Sequence, residues 1–223
     1  PTKKDEEWKY TSLNAVLKHD YNVFPKAIPT LPYEQVKKFL LNETDCYNLI
    51  FIDGVFSSNL SSTTHDGLDV CLMSSALNKP KYKMVIDHYF NTIASKKESI
   101  TSLNTAFSNE GAYIQIPKNT IVPKPIQIMY FSTGSEAQIM LQPRNLIIVG
   151  ENSHVQIVER HQSINNNVVL SNSVSEIFAK KRAIIDYYKI QNDQITSSLI
   201  DNTYVQQQQQ SIVSVNTFSF GGN

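Results

Sequence analysis

The densest grouping of chemically capable side chains in this 223-residue chain is HVQIVERH, residues 154–161, where two histidines bracket a glutamate and an arginine. Glu159, Arg160 and His161 are residue types that can act as acid, base and orienting group. His154 and His161 are residue types that bind metal. In a regular strand, side chains alternate between faces, so two histidines seven positions apart point in opposite directions and do not chelate one ion. Zinc requires three or four ligands, and the sequence offers no further partners. Glu159 and His161 share a face, whereas Arg160 points the other way. The reading is therefore one surface histidine and one interior histidine satisfied by hydrogen bonds, with no metal centre and no catalytic residue.

Other chemistry is excluded by absence. The chain has no GxxxxGK[ST], no GxGxxG after a strand, no HExxH, no GxSxG and no paired CxxC, which removes the common nucleotide, metallohydrolase and esterase readings. Lysine plus arginine equal aspartate plus glutamate at 20 each, so no global field draws the protein to nucleic acid or an anionic membrane. Cys46 and Cys71 are the only cysteines. Their wide spacing fits reduced intracellular thiols, and hence a cytoplasmic protein, better than a secreted disulfide framework; a Cys46–Cys71 bridge is the less favoured alternative. The apolar runs 48–55 and 146–149 fall far short of the roughly 20 residues that span a bilayer. PTKKDEEWKY does not resemble a signal peptide.

The elements that must position these residues change character at Gly111. Residues 1–110 read as a mixed helical and hairpin region. Thr30, Pro32, Glu34 and the apolar spacing Val36, Phe39, Leu40 predict a capped amphipathic helix. Asp53-Gly54 between two apolar runs predicts a hairpin with a type I′ turn. Residues 68–77, 85–94 and 99–107 each carry helical spacing, and 109–111 supplies a stop. Residues 111–223 read as strand after strand, at 113–116, 126–131, 137–142, 146–149, 155–161, 168–174, 184–191, 198–205 and 211–220, with a rough return every two dozen residues. Without crossover helices these strands form a solenoid, a sandwich or a barrel. The tract Gln206–Gln210 is read as an ordered strand whose amides stack as ladders rather than as disordered low complexity. The chain starts at Pro1 and stops directly after a strand-like run, which reads as a fragment cut inside the β region.

EGAYIQIP, KPIQIMYF, RNLIIVGENSHVQIVERHQS, DYYKIQND and NTFSFGGN, together with the leading WKYTSL and YNLIFIDGVF, occur in an order that resembles the SufB and SufD proteins of iron-sulfur cluster assembly, on the SufD side. The resemblance covers essentially the whole chain. It implies a mainly β fold, a right-handed parallel β-helix preceded by a smaller mixed α/β amino-terminal region, with a carboxy-terminal helical region beyond the end of this chain. It also implies a non-catalytic scaffold subunit of the SUF system that pairs with a SufB-like paralogue and a SufC-like ATPase. Because the helical region that docks SufC lies outside this chain, SufC binding is expected of the full-length protein. Where the SufB branch carries a cysteine after the glutamate of VERH, this chain has His161. Gln191 of KIQND matches a glutamine that in SufB looks into the β-helix, on a path proposed to carry sulfur; SufB continues with an aromatic where this chain has Asp193. The resemblance thus makes His161 and Gln191 interior polar residues, whose plainest role is hydrogen bonding inside the helix.

No cofactor is expected on this region alone. Clusters are held mainly by thiolates and no cysteine follows Cys71, so a cluster is expected only in the assembled complex. Two other functions compete. A carbohydrate-binding or carbohydrate-active β-helix would need acidic and aromatic rows on one exposed face, and the strands offer glutamine, asparagine and serine instead. A homodimer would pair through the open edge of a truncated solenoid.

Overall fold

The fold was analysed in a computed structural model that describes residues 8–9, 13–24, 30–41, 44–62, 68–94, 98–108, 110–134 and 138–222. Asn109 of the expected helix stop and Ala137 of an expected strand lie outside these residues. A short helix α1 (Asn14–Leu17) and a second, α2 (Tyr33–Val36), precede the first strand. Then come β1 (Tyr47–Ile52), β2 (Val55–Phe56), β3 (Asp69–Leu72), and helices α3 (Met73–Leu77), α4 (Pro80–Tyr89) and α5 (Ser99–Phe107). From Gly111 onward the chain is strands: β4 (Ala112–Ile116), β5 (Ile126–Ser132), β6 (Ile139–Leu141), β7 (Arg144–Val149), β8 (His154–Ser163), β9 (Val169–Ala179), β10 (Ile184–Asn192), β11 (Ser197–Gln207) and β12 (Ile212–Ser219).

These strands wind into a parallel β-solenoid of about three turns. One wall has the order β12-β10-β8-β5-β1-β2 and the other β11-β9-β7-β4-β3, with β6 beside β9. Successive turns stack in parallel: Ile126 lies beside Ile157, His154 beside Ile184, and Ile184 beside Ile212. The repeat is therefore about 30 residues, longer than the two dozen expected, because each turn holds two long strands and two corners. The antiparallel strands β2 and β3 sit at the outer edges of the two walls at the amino-terminal end, covering edges that would otherwise be open.

Side-chain alternation decides what fills the interior. Leu49, Phe51, Ile114, Ile126, Ile128, Ile147, Val149, Ile157, Ile177 and Ile185 pack between the walls as one buried cluster. Their neighbours point outward, where Tyr113, Leu146, Ile148 and Phe178 are covered by Met73, Ala76, Tyr82 and Ile86 of α3 and α4. Ile50, Ile52, Met129 and Phe131 are covered in the same way by Val36. Strands buried on both faces read as continuous apolar runs rather than as clean alternation, which explains the buried IQIMYFS of β5.

The Asp53-Gly54 hairpin forms as expected, with both turn residues at positive φ, 45° and 79°. The helix of 99–107 also stands as expected, capped by the Glu98 carboxylate, which accepts from the Ile100 and Thr101 N–H groups. Four readings need correction. Residues 30–40 hold only the four-residue α2 and a 3-10 turn at Lys37–Phe39, with Pro32 as the N-cap and no side-chain cap. Residues 68–77 split into β3 and α3, because Asp69–Leu72 pairs antiparallel with β4. The helix placed at 85–94 runs from Pro80 to Tyr89, and Asn91 beyond it is left-handed at φ 58°. In the glutamine tract only Gln206 and Gln207 belong to a strand, while Gln208–Gln210 form the corner and Gln210 is left-handed at φ 60°. The Gln208 side chain accepts from the Lys181 N–H at 3.3 Å rather than joining an amide ladder.

Candidate functional site

β8, β10 and β11 bring polar side chains into an otherwise apolar lumen. Strand parity turns Ile157, Glu159 and His161 inward, and the parallel register places Lys189 beside Glu159 and Gln191 beside His161. On the opposite wall, Ser173 pairs in register with Asp201, and Ser175 with Thr203. His161 Nε2 lies 2.8 Å from Glu159 Oε1. Lys189 Nζ donates to Asp201 Oδ1 at 2.6 Å and to Thr203 Oγ1 at 2.7 Å, and stands 3.8 Å from Glu159 Oε1. Tyr187 donates its hydroxyl to Glu159 Oε2, and Asn145 Nδ2 donates to the same oxygen at 3.2 Å. Tyr130 donates to Asn145 Oδ1 at 2.6 Å and stacks on the His161 ring at a centroid distance of 5.0 Å. Glu159 is fully enclosed and His161 is 3% exposed.

The electrostatics follow from this enclosure. Burial alone pushes the Glu159 carboxyl upward, but the Lys189 ammonium and the hydrogen bonds from His161 and Tyr187 outweigh it and hold the group at about 2. Burial raises Asp201, against the pull of Lys189. Burial followed by the Glu159 charge drives the Tyr187 and Tyr130 hydroxyls well above their ordinary value, so both remain protonated donors. A buried carboxylate with several donors and a paired ammonium is a satisfied network, which is the condition under which charge is tolerated in a low-dielectric interior. His161 Nδ1 is the exception, sealed from water with no hydrogen-bond partner. Beside the cluster an open cavity of about 680 Å³ is lined by His161, Lys189, Gln191, Leu199 and Asp201.

The structure thus places His161 and Gln191 in register on the lumenal side, with His161 buried and Gln191 half-buried on the cavity wall. His154 is the surface histidine, 2.9 Å from Asp186. Arg160 points outward, its guanidinium 5.1 Å from the Phe39 ring. Cys46 and Cys71 are free thiols. No group of three or more metal-binding side chains gathers among the described residues. Sequence reading missed Lys189, Asp201, Tyr187 and Asn145. The signal for Lys189 was available in principle: it stands one solenoid period after Glu159 and shares the parity of Tyr187 and Gln191. Without the register, that period was not legible.

A second buried ion pair lies on the outside of the other wall. Arg144 Nη2 meets Glu176 Oε2 at 2.7 Å, both essentially unexposed. The Glu176 carboxylate also accepts from the backbone N–H groups of Asn91, Thr92, Ile93 and Ala94 at 2.7–3.1 Å. This arrangement fastens the segment after α4 to the solenoid. It is a structural clamp, because every one of these donors ends on one carboxylate.

The lumenal carboxylates Glu159 and Asp201 share the single Lys189 ammonium, Glu159 buried and Asp201 partly exposed. They do not form the exposed acidic row that a carbohydrate-processing solenoid requires. What the fold defines is a parallel β-solenoid with a helical amino-terminal flank and a hydrogen-bonded polar lumen. The SufBD protein N-terminal region profile matches residues 1–128, and the profile for the SUF system FeS cluster assembly SufBD core domain matches residues 130–223. The chain belongs to the SufB/SufD family of the SUF iron-sulfur cluster assembly system.

An iron-sulfur cluster assembly SufBD family protein from Synechocystis is 29% identical over 95% of this chain and 48% of its own length. Bacillus subtilis SufD is 26% identical over 48% of the chain and 25% of its own length. Bacillus subtilis SufB is 33% identical over 48% of the chain and 23% of its own length. The chain spans about half the length of the Synechocystis relative, and less of the other two. No described helix is long and apolar enough to cross a membrane.

Proposed function

We propose that this chain is part of a non-catalytic scaffold subunit of SufD type, cytoplasmic, which pairs with a SufB-like paralogue and a SufC-like ATPase. The observation that carries this reading is the lumen at Glu159. At the position where the resemblance gives the SufB branch a cysteine, this chain holds His161, hydrogen-bonded to Glu159 at 2.8 Å, and no thiol follows Cys71. A lumen whose charged groups are tied to one another by ion pairs and hydrogen bonds supports geometry rather than turnover. Family profiles over both portions of the chain support the assembly role.

His161 and Gln191 act here as interior hydrogen-bonding residues, and an iron-sulfur cluster is held only by the assembled complex. The full-length protein mixed with SufB and SufC homologues under reducing conditions should elute as one complex in size-exclusion chromatography. Three separate peaks would overturn the partner assignment. Anaerobic reconstitution of the purified chain alone should yield no bound cluster absorbance, and a stable cluster on the isolated chain would overturn the cofactor assignment.

A further inference from the structure

One ammonium serves two carboxylates in the lumen. Lys189 Nζ donates to Asp201 Oδ1 at 2.6 Å and lies 2.5 Å from its Oδ2, but stands 3.8 Å from Glu159 Oε1. The two carboxylates differ in their surroundings. Glu159 is fully buried and also accepts from His161 Nε2, the Tyr187 hydroxyl and Asn145 Nδ2. Asp201 lines the open cavity with 20% of its side chain exposed, and Lys189 is its one ion-pair partner among the described residues. Protonating Glu159 gives up a carboxylate shared by three hydrogen-bond donors, whereas protonating Asp201 gives up one ion pair, so Asp201 takes the first proton. The carboxyl of Asp201, raised by burial, and that of Glu159, held at about 2, are displaced in the same order. The charged and titratable groups facing Lys189 are Glu159 and His161 from β8, Asp201 from β11 and Tyr187 from its own strand. From β9 and β12 come Ser173, Thr217 and Ser219, all uncharged.

We infer that Lys189 is a two-position switch: with Asp201 ionised it ties β10 to β11 across the lumen, and when Asp201 takes a proton from solvent it moves onto Glu159. The displacement is small. Closing 3.8 Å to the roughly 2.8 Å of a charge-assisted hydrogen bond takes about 1 Å, within reach of a flexible four-carbon side chain whose backbone is already in register with Glu159. The driving force is electrostatic. Once Asp201 is neutral, Glu159 is the remaining charged acceptor beside Lys189, and an ammonium left unpaired in the interior is costly. In the second position the cavity wall carries a neutral carboxyl where it had an ion pair, and the cross-lumen tie is released. The switch does not depend on the SUF partners proposed above, and its failure leaves that reading intact.

Asp201→Asn imitates the protonated carboxyl, keeping its shape without its charge. Crystal structures of the chain at neutral pH and at about pH 3.5, and of Asp201→Asn at neutral pH, test the two positions. Lys189 Nζ should stand 3.8 Å from Glu159 Oε1 in the first and about 2.8 Å from it in the other two. In solution, carbon-13 NMR of labelled carboxyl groups should show the Glu159 resonance stepping at the midpoint of Asp201, a step that Asp201→Asn abolishes. His161→Gln, which removes the other titratable partner of Glu159, should retain the step. The inference is overturned if Nζ stays on residue 201 in either the acid or the Asp201→Asn structure, if the Glu159 resonance is still at the Asp201 midpoint, or if His161→Gln abolishes the step.

Discussion

His161 Nε2 and Glu159 Oε1 lie 2.8 Å apart inside the solenoid, one strand step from each other and shielded from solvent by both walls. With Lys189, Tyr187 and Asn145 converging on the same carboxylate, Glu159 is the centre of the lumenal network. Its charge organises the surrounding donors.

The first consequence is a pH dependence. The folded-state value of Glu159, about 2, lies below its ordinary 4.5, so the unfolded chain takes up the proton first as the solution is acidified. The stabilisation is complete above pH about 5 and is lost as pH falls toward 2, amounting to about 3 kcal/mol. Asp201, raised by burial, shifts the opposite way, so the measurement is a comparison. Urea unfolding from pH 2 to 6 should show a steeper loss in the unaltered chain than in Glu159→Gln. Equal slopes would refute the assignment.

Removing the carboxylate of the outer clamp should be expensive. Glu176→Gln leaves Arg144 buried without a counter-charge and turns an amide N–H₂ toward backbone donors, for an expected loss of about 3–5 kcal/mol. Hydrogen exchange should accelerate first at Asn91–Ala94, whose N–H groups end on this side chain. Uniform acceleration across the whole solenoid would argue against a local clamp.

At Gly111 the obstacle is steric. A Cβ there would stand 1.9 Å from the Arg144 carbonyl oxygen, so Gly111→Ala should cost about 3 kcal/mol, the upper end of overpacking effects. Thermal unfolding followed by circular dichroism reads this directly, and a neutral substitution would show that β4 and β7 can separate at this point.

The solenoid corners carry a ladder of left-handed residues, Asn119, Asn152, Arg182 and Gln210, with φ between 55° and 60°. Asn152 Nδ2 donates to Asn119 Oδ1 at 2.9 Å, and Asn152 Oδ1 accepts from Arg182 Nε at 2.5 Å. Asn152→Ala loses both bonds and puts a residue that tolerates left-handed backbone less well than Asn at φ 56°, at about 1–2 kcal/mol. Asn152→Gly loses the same bonds without that strain and should be the milder variant by melting temperature. The reverse order would exclude backbone strain as the main cost.

The β-rich character after Gly111, the hairpin at Asp53-Gly54 and the helix of 99–107 were legible because their signals are local: apolar spacing, left-handed turn residues and strand-prone runs. The shared face of Glu159 and His161 was legible too, since strand parity depends only on separation along the chain. The sequence by itself therefore determined most of the strands after Gly111 and which residues of one strand face inward.

Only the tertiary structure decided which turns stack on which. Lys189 reaches Glu159 because β10 lies on β8 in one register, and Asp201 faces them because the opposite wall closes across the lumen. Arg144 meets Glu176 through another such pairing of neighbouring strands, β7 and β9. Registers are fixed by the summed burial of whole strands and by corner lengths, which vary from turn to turn here. No local pattern encodes that sum, so the network around Glu159 appears only once the chain has wound on itself.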